Sequence, residues 1–117
     1  MRYACKEIGL YIDIKNDVVQ KIKDASYLHY PNEHGGILVG NYSEDKTIAF
    51  VNDMILPTSY QASPVSFERG SSGIKSILSE FFASENPQVY VGEWHTHPNA
   101  HPIPSPTDVF ALIAIAR

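Results

Sequence analysis

The sequence is poor in several things, and each shortage removes a class of function. Its 117 residues include a single cysteine, Cys5. No intrachain disulfide can form and no cysteine-rich structural zinc site can be built, so a reducing, cytoplasmic setting is expected. The longest apolar run, Val109 to Ala116, falls far below the ~18 residues that span a bilayer. The opening Met1-Arg2-Tyr3 meets polar residues by Lys6 and Glu7, which is not a signal-peptide pattern. Lys and Arg number 9 against 13 Asp and Glu, for a net charge of −4 and a pI of about 5.6. Without a basic run or a basic amphipathic face, neither nucleic acid nor membrane is an expected partner. No repeat, low-complexity tract or linker divides the chain.

What remains is globular material. Hydrophobic residues make up 44% and aromatics 11%, enough apolar surface to offset the entropy of ordering. The length fits one domain, residues 1–117. Ile8, Leu10, Ile12 and Ile14 alternate with other residues, the period of a strand with one buried face. Asn16 or Asp17 can cap a following helix whose Val18, Val19, Ile22 and Ala25 share a side, with Pro31 at or just beyond its end. Glu33 then precedes a glycine-bounded apolar stretch, Gly35 to Gly40, which reads as a buried strand. A polar turn, Asn41 to Asp45, leads to a longer strand within Lys46 to Leu56, so a hairpin is expected. Pro57 to Gly70, rich in Ser and Pro, reads as a loop.

Ile74, Ile77, Leu78, Phe81 and Phe82 form the clearest helical stripe, with Ser71 or Ser72 as its cap. Gln88 to Trp94 reads as a central strand. A proline-rich loop then leads to a last helix starting near Ser105. The order β-α-β-β-α-β-α implies an α/β or α+β domain, a mixed sheet flanked by helices.

The chemistry gathers near the end of the chain. His95 and His97, two residues apart at the end of a strand, would point the same way with Cα atoms ~6.6 Å apart. That spacing lets two imidazoles converge on one metal, although H-x-H alone also describes a pair of loop histidines. Ser105-Pro106-Thr107-Asp108 is a helix start. It also sets a carboxylate at a helix N-terminus, where the dipole favours its ionised form. Two histidines and one aspartate match the ligand count of a catalytic zinc site with one open position. Such a site needs a base for bound water. Glu93 shares strand parity with His95 and His97, and Glu33 stands before glycines that permit close backbone approach. Spacing does not choose between them.

Together these residues resemble the JAMM motif of MPN-domain metalloproteases. Glu33, His95-Thr96-His97-Pro98, the stretch to Pro104 and Ser105-x-x-Asp108 match it at every position. Glu33-x-Gly-Gly-x-Leu-x-Gly and Val91-Gly92-Glu93-Trp94-His95 resemble its prokaryotic, JAB-type branch, and the likeness runs from about Ile8 onward. It implies the MPN/JAB fold, which is cytidine-deaminase-like. It also implies one Zn²⁺ per chain on His95, His97 and Asp108, with Glu33 as general base and Ser105 as a donor to the oxyanion. The implied activity is that of a zinc isopeptidase or peptidase, cleaving after the C-terminus of a ubiquitin-like modifier or within an E1/E2-type conjugate. Systems of the second kind include antiphage operons in which a cGAS-like enzyme is conjugated and released; other relatives process sulfur-carrier proteins. Two alternatives stand beside it: a non-catalytic MPN scaffold, which would not need the ligand set, and a RadC-type nuclease-like protein. Asn99-Ala100-His101-Pro102 and the negative charge argue against the second.

The remaining candidates are ordinary. His101, His34 and His29 read as surface or structural residues, Trp94 as core, and Phe67, Glu68 and Arg69 as loop residues or groove lining. Family members usually continue past the Ser-x-x-Asp helix, so the chain is expected to lack C-terminal strand. It would then be a truncated form or one that completes its sheet by homo-oligomerising.

Overall fold

A computed structural model describes residues 1–98. The elements are β1 (Arg2–Cys5), β2 (Leu10–Ile14), α1 (Asn16–His29), β3 (Gly35–Tyr42), β4 (Ile48–Ile55), β5 (Tyr60–Ser63), β6 (Ser66–Arg69), α2 (Ile74–Ala83) and β7 (Val89–His95). Five strands form a mixed sheet in the order β1-β2-β4-β3-β7, and β5 and β6 make a separate hairpin. Among the described residues only β2 and β4 pair in parallel; the other neighbours are antiparallel. This is the expected mixed α/β architecture, a sheet flanked by two helices. The expected last helix lies outside the described residues.

The core forms where the apolar strands meet α2. Ile37, Val39, Ile55 and Ile74 are buried together, with Ile77, Leu78, Phe81 and Tyr90 packed against them. Phe82 was expected on the same stripe but is 63% exposed. At 100° per residue it lies about 80° around the helix from Ile74, beyond the face that meets the sheet. On α1, Val18 and Ala25 are buried and Val19 and Ile22 half-buried, so the expected side is the inner one.

Four sequence expectations need correction. Both helix caps differ. Helix α1 starts from Lys15, whose carbonyl accepts from Val18 and Val19, and α2 starts from Gly73 at φ +75°; neither has a side-chain cap. Glycine suits that left-handed start because it lacks the Cβ that penalises the conformation. The face of Ile8, Leu10 and Ile12 is not buried: they are 66%, 42% and 45% exposed. They lie by the β1 edge, and α1 packs against β4 instead. The segment Pro57 to Gly70 is not simply a loop, because β5 and β6 pair within it around Pro64-Val65. Finally, a strand that was not foreseen, β1, extends the sheet.

The bulges matter most for the site. Between Leu38 and Val39 the β7 partner jumps from Gly92 to Tyr90, so Val91 is the extra residue. Directly paired residues share a sheet face. Gly35, Ile37 and Val39 pair with His95, Glu93 and Tyr90. The bulge therefore brings Tyr90 onto the face of Glu93 and His95, against the simple alternation of side chains.

Candidate active site

The site lies at the end of the β3–β7 seam. Glu33 and His34 enter β3, and His95, Thr96 and His97 leave β7. The two segments approach closely because Gly35 has no side chain. A Cβ there would meet His95 Cβ at 2.9 Å and press on the Trp94 carbonyl. Thr96 ties them together: its N–H donates to the His34 carbonyl at 2.8 Å, and its hydroxyl accepts from the His34 N–H at 3.0 Å. The middle residue of His-Thr-His thus holds the residue beside Glu33.

The chemistry converges at this junction. The His95 and His97 Nε2 atoms lie 3.0 Å apart. Glu33 Oε1 lies 3.9 Å from His97 Nε2, and their side chains are only 10% and 14% exposed. The Glu33 N–H donates to the Ser63 carbonyl at 2.8 Å, so the β5–β6 hairpin fixes its backbone.

Two nitrogens each ~2.0–2.1 Å from a tetrahedral zinc would be separated by about 3.3 Å, so the two imidazoles fit as a pair of ligands. Among the described residues no group of three potential ligands is assembled. The expected third ligand, Asp108, lies outside the described residues, as do Ser105 and His101.

Glu93 is committed elsewhere. Arg69, at the end of β6, donates to it through Nε and Nη2, and the Tyr90 hydroxyl donates at 2.8 Å. The bond to Glu93 holds the Arg69 pKa up. Burial, then the same carboxylate, pushes the Tyr90 hydroxyl up to about 12. Glu93 therefore faces the site side of the sheet, as its parity suggested, but as an ion-pair partner. Arg69 in turn is more than a loop residue.

His34 is the other surprise. It is 2% exposed, and neither ring nitrogen has a hydrogen-bond partner among the described residues. Its ring stacks on His29 at 3.6 Å and meets Tyr60, Phe67 and Trp94 edge-on. Burial, then the neighbouring His29, lowers its pKa. Sequence reasoning missed this cluster, since its aromatic partners come from three separate segments. It named Thr96 only as a motif position, without its bonds to His34, and missed Tyr90. Only the bulge explains the position of Tyr90, and no sequence signal marks the bulge.

No helix among the described residues is long and apolar enough to cross a membrane.

The chain is similar to known proteins in sequence and in fold. Residues 15–115 match the family described as prokaryotic homologs of the JAB domain. A CD-NTase/cGAS isopeptidase of Enterobacter hormaechei subsp. hoffmannii (strain UCI 50) is 38% identical over 112 residues. The match covers 94% of this chain but 61% of that protein, so the chain spans less than two thirds of its relative. In structure, the chain resembles protein DSY2949 from Desulfitobacterium hafniense, solved in solution, with a TM-score of 0.63 at 21% identity. That likeness covers 83% of this chain and 64% of the other, and speaks for the fold alone. With most of its length matched, the chain belongs to the prokaryotic JAB-domain family.

Proposed function

We propose that this chain is a zinc-dependent isopeptidase that hydrolyses the bond after a ubiquitin-like C-terminus or within an E1/E2-type protein conjugate. The observation that carries the reading is the convergence of Glu33, His95 and His97. One buried carboxylate stands 3.9 Å from an imidazole nitrogen that is itself 3.0 Å from a second one. The name of the Enterobacter relative points to conjugates of a CD-NTase/cGAS-type enzyme as the first substrates to try.

His95, His97 and Asp108 would hold one Zn²⁺. When bound, the ion supplies a Lewis acid and lowers the pKa of a water in its open position. The rest falls to the chain's own residues. Glu33 takes the proton of the attacking water and returns it to the leaving amine, so its carboxylate is regenerated. Its burial keeps that exchange away from bulk solvent. Ser105 donates a hydrogen bond to the oxyanion that develops as the carbonyl is attacked. Thr96 and Gly35 keep the Glu33 and histidine segments in register, because a base must stay within hydrogen-bond reach of its proton.

The test is cleavage of isopeptide conjugates, with and without a chelator. Cleavage that stops on chelation and returns with Zn²⁺ is expected. Cleavage indifferent to the chelator would reject the mechanism. A chain that binds zinc but cleaves no conjugate would favour the scaffold reading.

A further inference from the structure

We infer that Glu93 is a positioning residue: with Arg69 and Tyr90 it locks the β5–β6 hairpin onto β7, and the hairpin in turn holds Glu33. The inference rests on the isopeptidase reading for its catalytic consequence, but not for the lock itself.

The β5–β6 hairpin is not part of the main sheet. Several attachments among the described residues hold it there. Its β5 end accepts the Glu33 N–H through the Ser63 carbonyl. Its aromatic side chains, Tyr60 and Phe67, pack edge-on against His34. Its β6 end is pinned by Arg69, which donates through two nitrogens to Glu93 on β7. Arg69 also donates to the Gly70 carbonyl, and the Gly70 N–H donates to the Ser59 carbonyl at 2.6 Å. The pin therefore continues into the first residues of the hairpin.

Glu93 is placed for this task by the sheet register. It sits two residues before His95 on the same face, and the bulge at Val91 turns Tyr90 toward it. Tyr90 donates to one carboxylate oxygen while Arg69 takes both. The pair is about three-quarters buried on each side, so solvent screens it less than an exposed pair. Strand β7 thus carries His95, an expected metal ligand, together with the anchor of the hairpin that fixes the expected base. A shift of the hairpin would move Glu33 relative to His97, and small misplacements of a base lower turnover steeply.

The experiment is a double-mutant cycle of Glu93→Gln and Arg69→Gln, read by amide hydrogen exchange and by kinetics. In each single variant the Glu33 and Gly70 amides should exchange about three- to fivefold faster, the opening expected from losing one partly buried pair. The double variant should add little beyond either single one. With a cleavable conjugate, kcat should fall roughly tenfold while KM stays within twofold, in both singles alike. Unchanged Glu33 exchange in Glu93→Gln would overturn the proposal. So would loss of turnover in Glu93→Gln but not in Arg69→Gln, which would make Glu93 a group acting at the reacting atoms. If either variant fails to fold, Tyr90→Phe deletes only a hydroxyl. The same amides should then exchange faster by a smaller factor, and unchanged exchange overturns the lock. A wild-type chain without any turnover would remove the isopeptidase reading and leave the exchange data to decide the lock.

Discussion

The two ends of the sheet are built differently. At the β3–β7 seam, Ile37 and Val39 are at most 1% exposed, and polar groups are drawn inward: Glu33 is 8% exposed and His34 2%. At the β1–β2 end, Leu10 and Ile12 are over 40% exposed, and the polar groups pair at the surface, as Arg2 does with Asp13 at 2.9 Å. Burying polar groups costs stability unless partners compensate. The first end accepts that cost with the His34 imidazole, whose two nitrogens lack partners among the described residues; the second does not. The contrast supports the proposed site at the seam, with β1–β2 as an extension of the sheet.

Matched substitutions can break that contrast. The largest effect should come from glycine. Gly35→Ala drives a Cβ into the Trp94 carbonyl and His95 Cβ, so thermal or denaturant unfolding should show a loss of about 1–3 kcal/mol. Turnover should fall with it, because the two site segments are forced apart. Gly9→Ala, at φ +67° with open space around it, costs about 1–2 kcal/mol through backbone strain alone. Turnover should survive that change. Equal losses of turnover in the two variants would deny the seam its special role.

A smaller effect is expected at Thr96. Thr96→Val keeps the shape and removes the hydroxyl that accepts from the His34 N–H, leaving that donor unpaired, at a cost of about 1 kcal/mol. Thr96→Ser should retain most of the stability and activity. Denaturant midpoints for the pair check this.

The smallest effect is a pH dependence. The folded state lowers the His34 pKa below its ordinary 6.5. The neutral ring is therefore favoured in the folded chain, while the unfolded chain takes up a proton below about pH 6.5. The stabilising contribution is full above that value and declines as pH falls toward the lowered folded pKa. Stability measured from pH 7.5 to 5 should fall, and His34→Phe should flatten the slope. An unchanged slope in that variant would assign the dependence to other groups.

The readable parts of the sequence were those governed by local periodicity. Ile74, Ile77, Leu78 and Phe81 announced α2, and Gln88 to Trp94 announced β7, although β7 stands at the edge of the described sheet and not at its centre. His95 was legible from the strand period, while His97 lies beyond the end of β7 and was legible as the second histidine of H-x-H. Glu33 was legible only as a member of a motif, since its approach to His97 depends on the pairing of β3 with β7. The hairpin at 60–69 was hidden by its Ser and Pro content. The exposed face of β2 was hidden because alternation reports a strand but not what covers it. The Arg69–Glu93–Tyr90 network needed both a distant hairpin and a bulge, neither of which leaves a short-range signal.

If the seam holds a metal with two histidines while Glu33 performs proton transfer, zinc content and turnover in Glu33→Gln and His95→Ala must separate. One Zn²⁺ per chain is expected in the wild type and in Glu33→Gln, with turnover in the latter reduced ~10²-fold or more, and no stable zinc in His95→Ala. Wild-type activity in Glu33→Gln, or zinc retained in full by His95→Ala, would contradict this assignment.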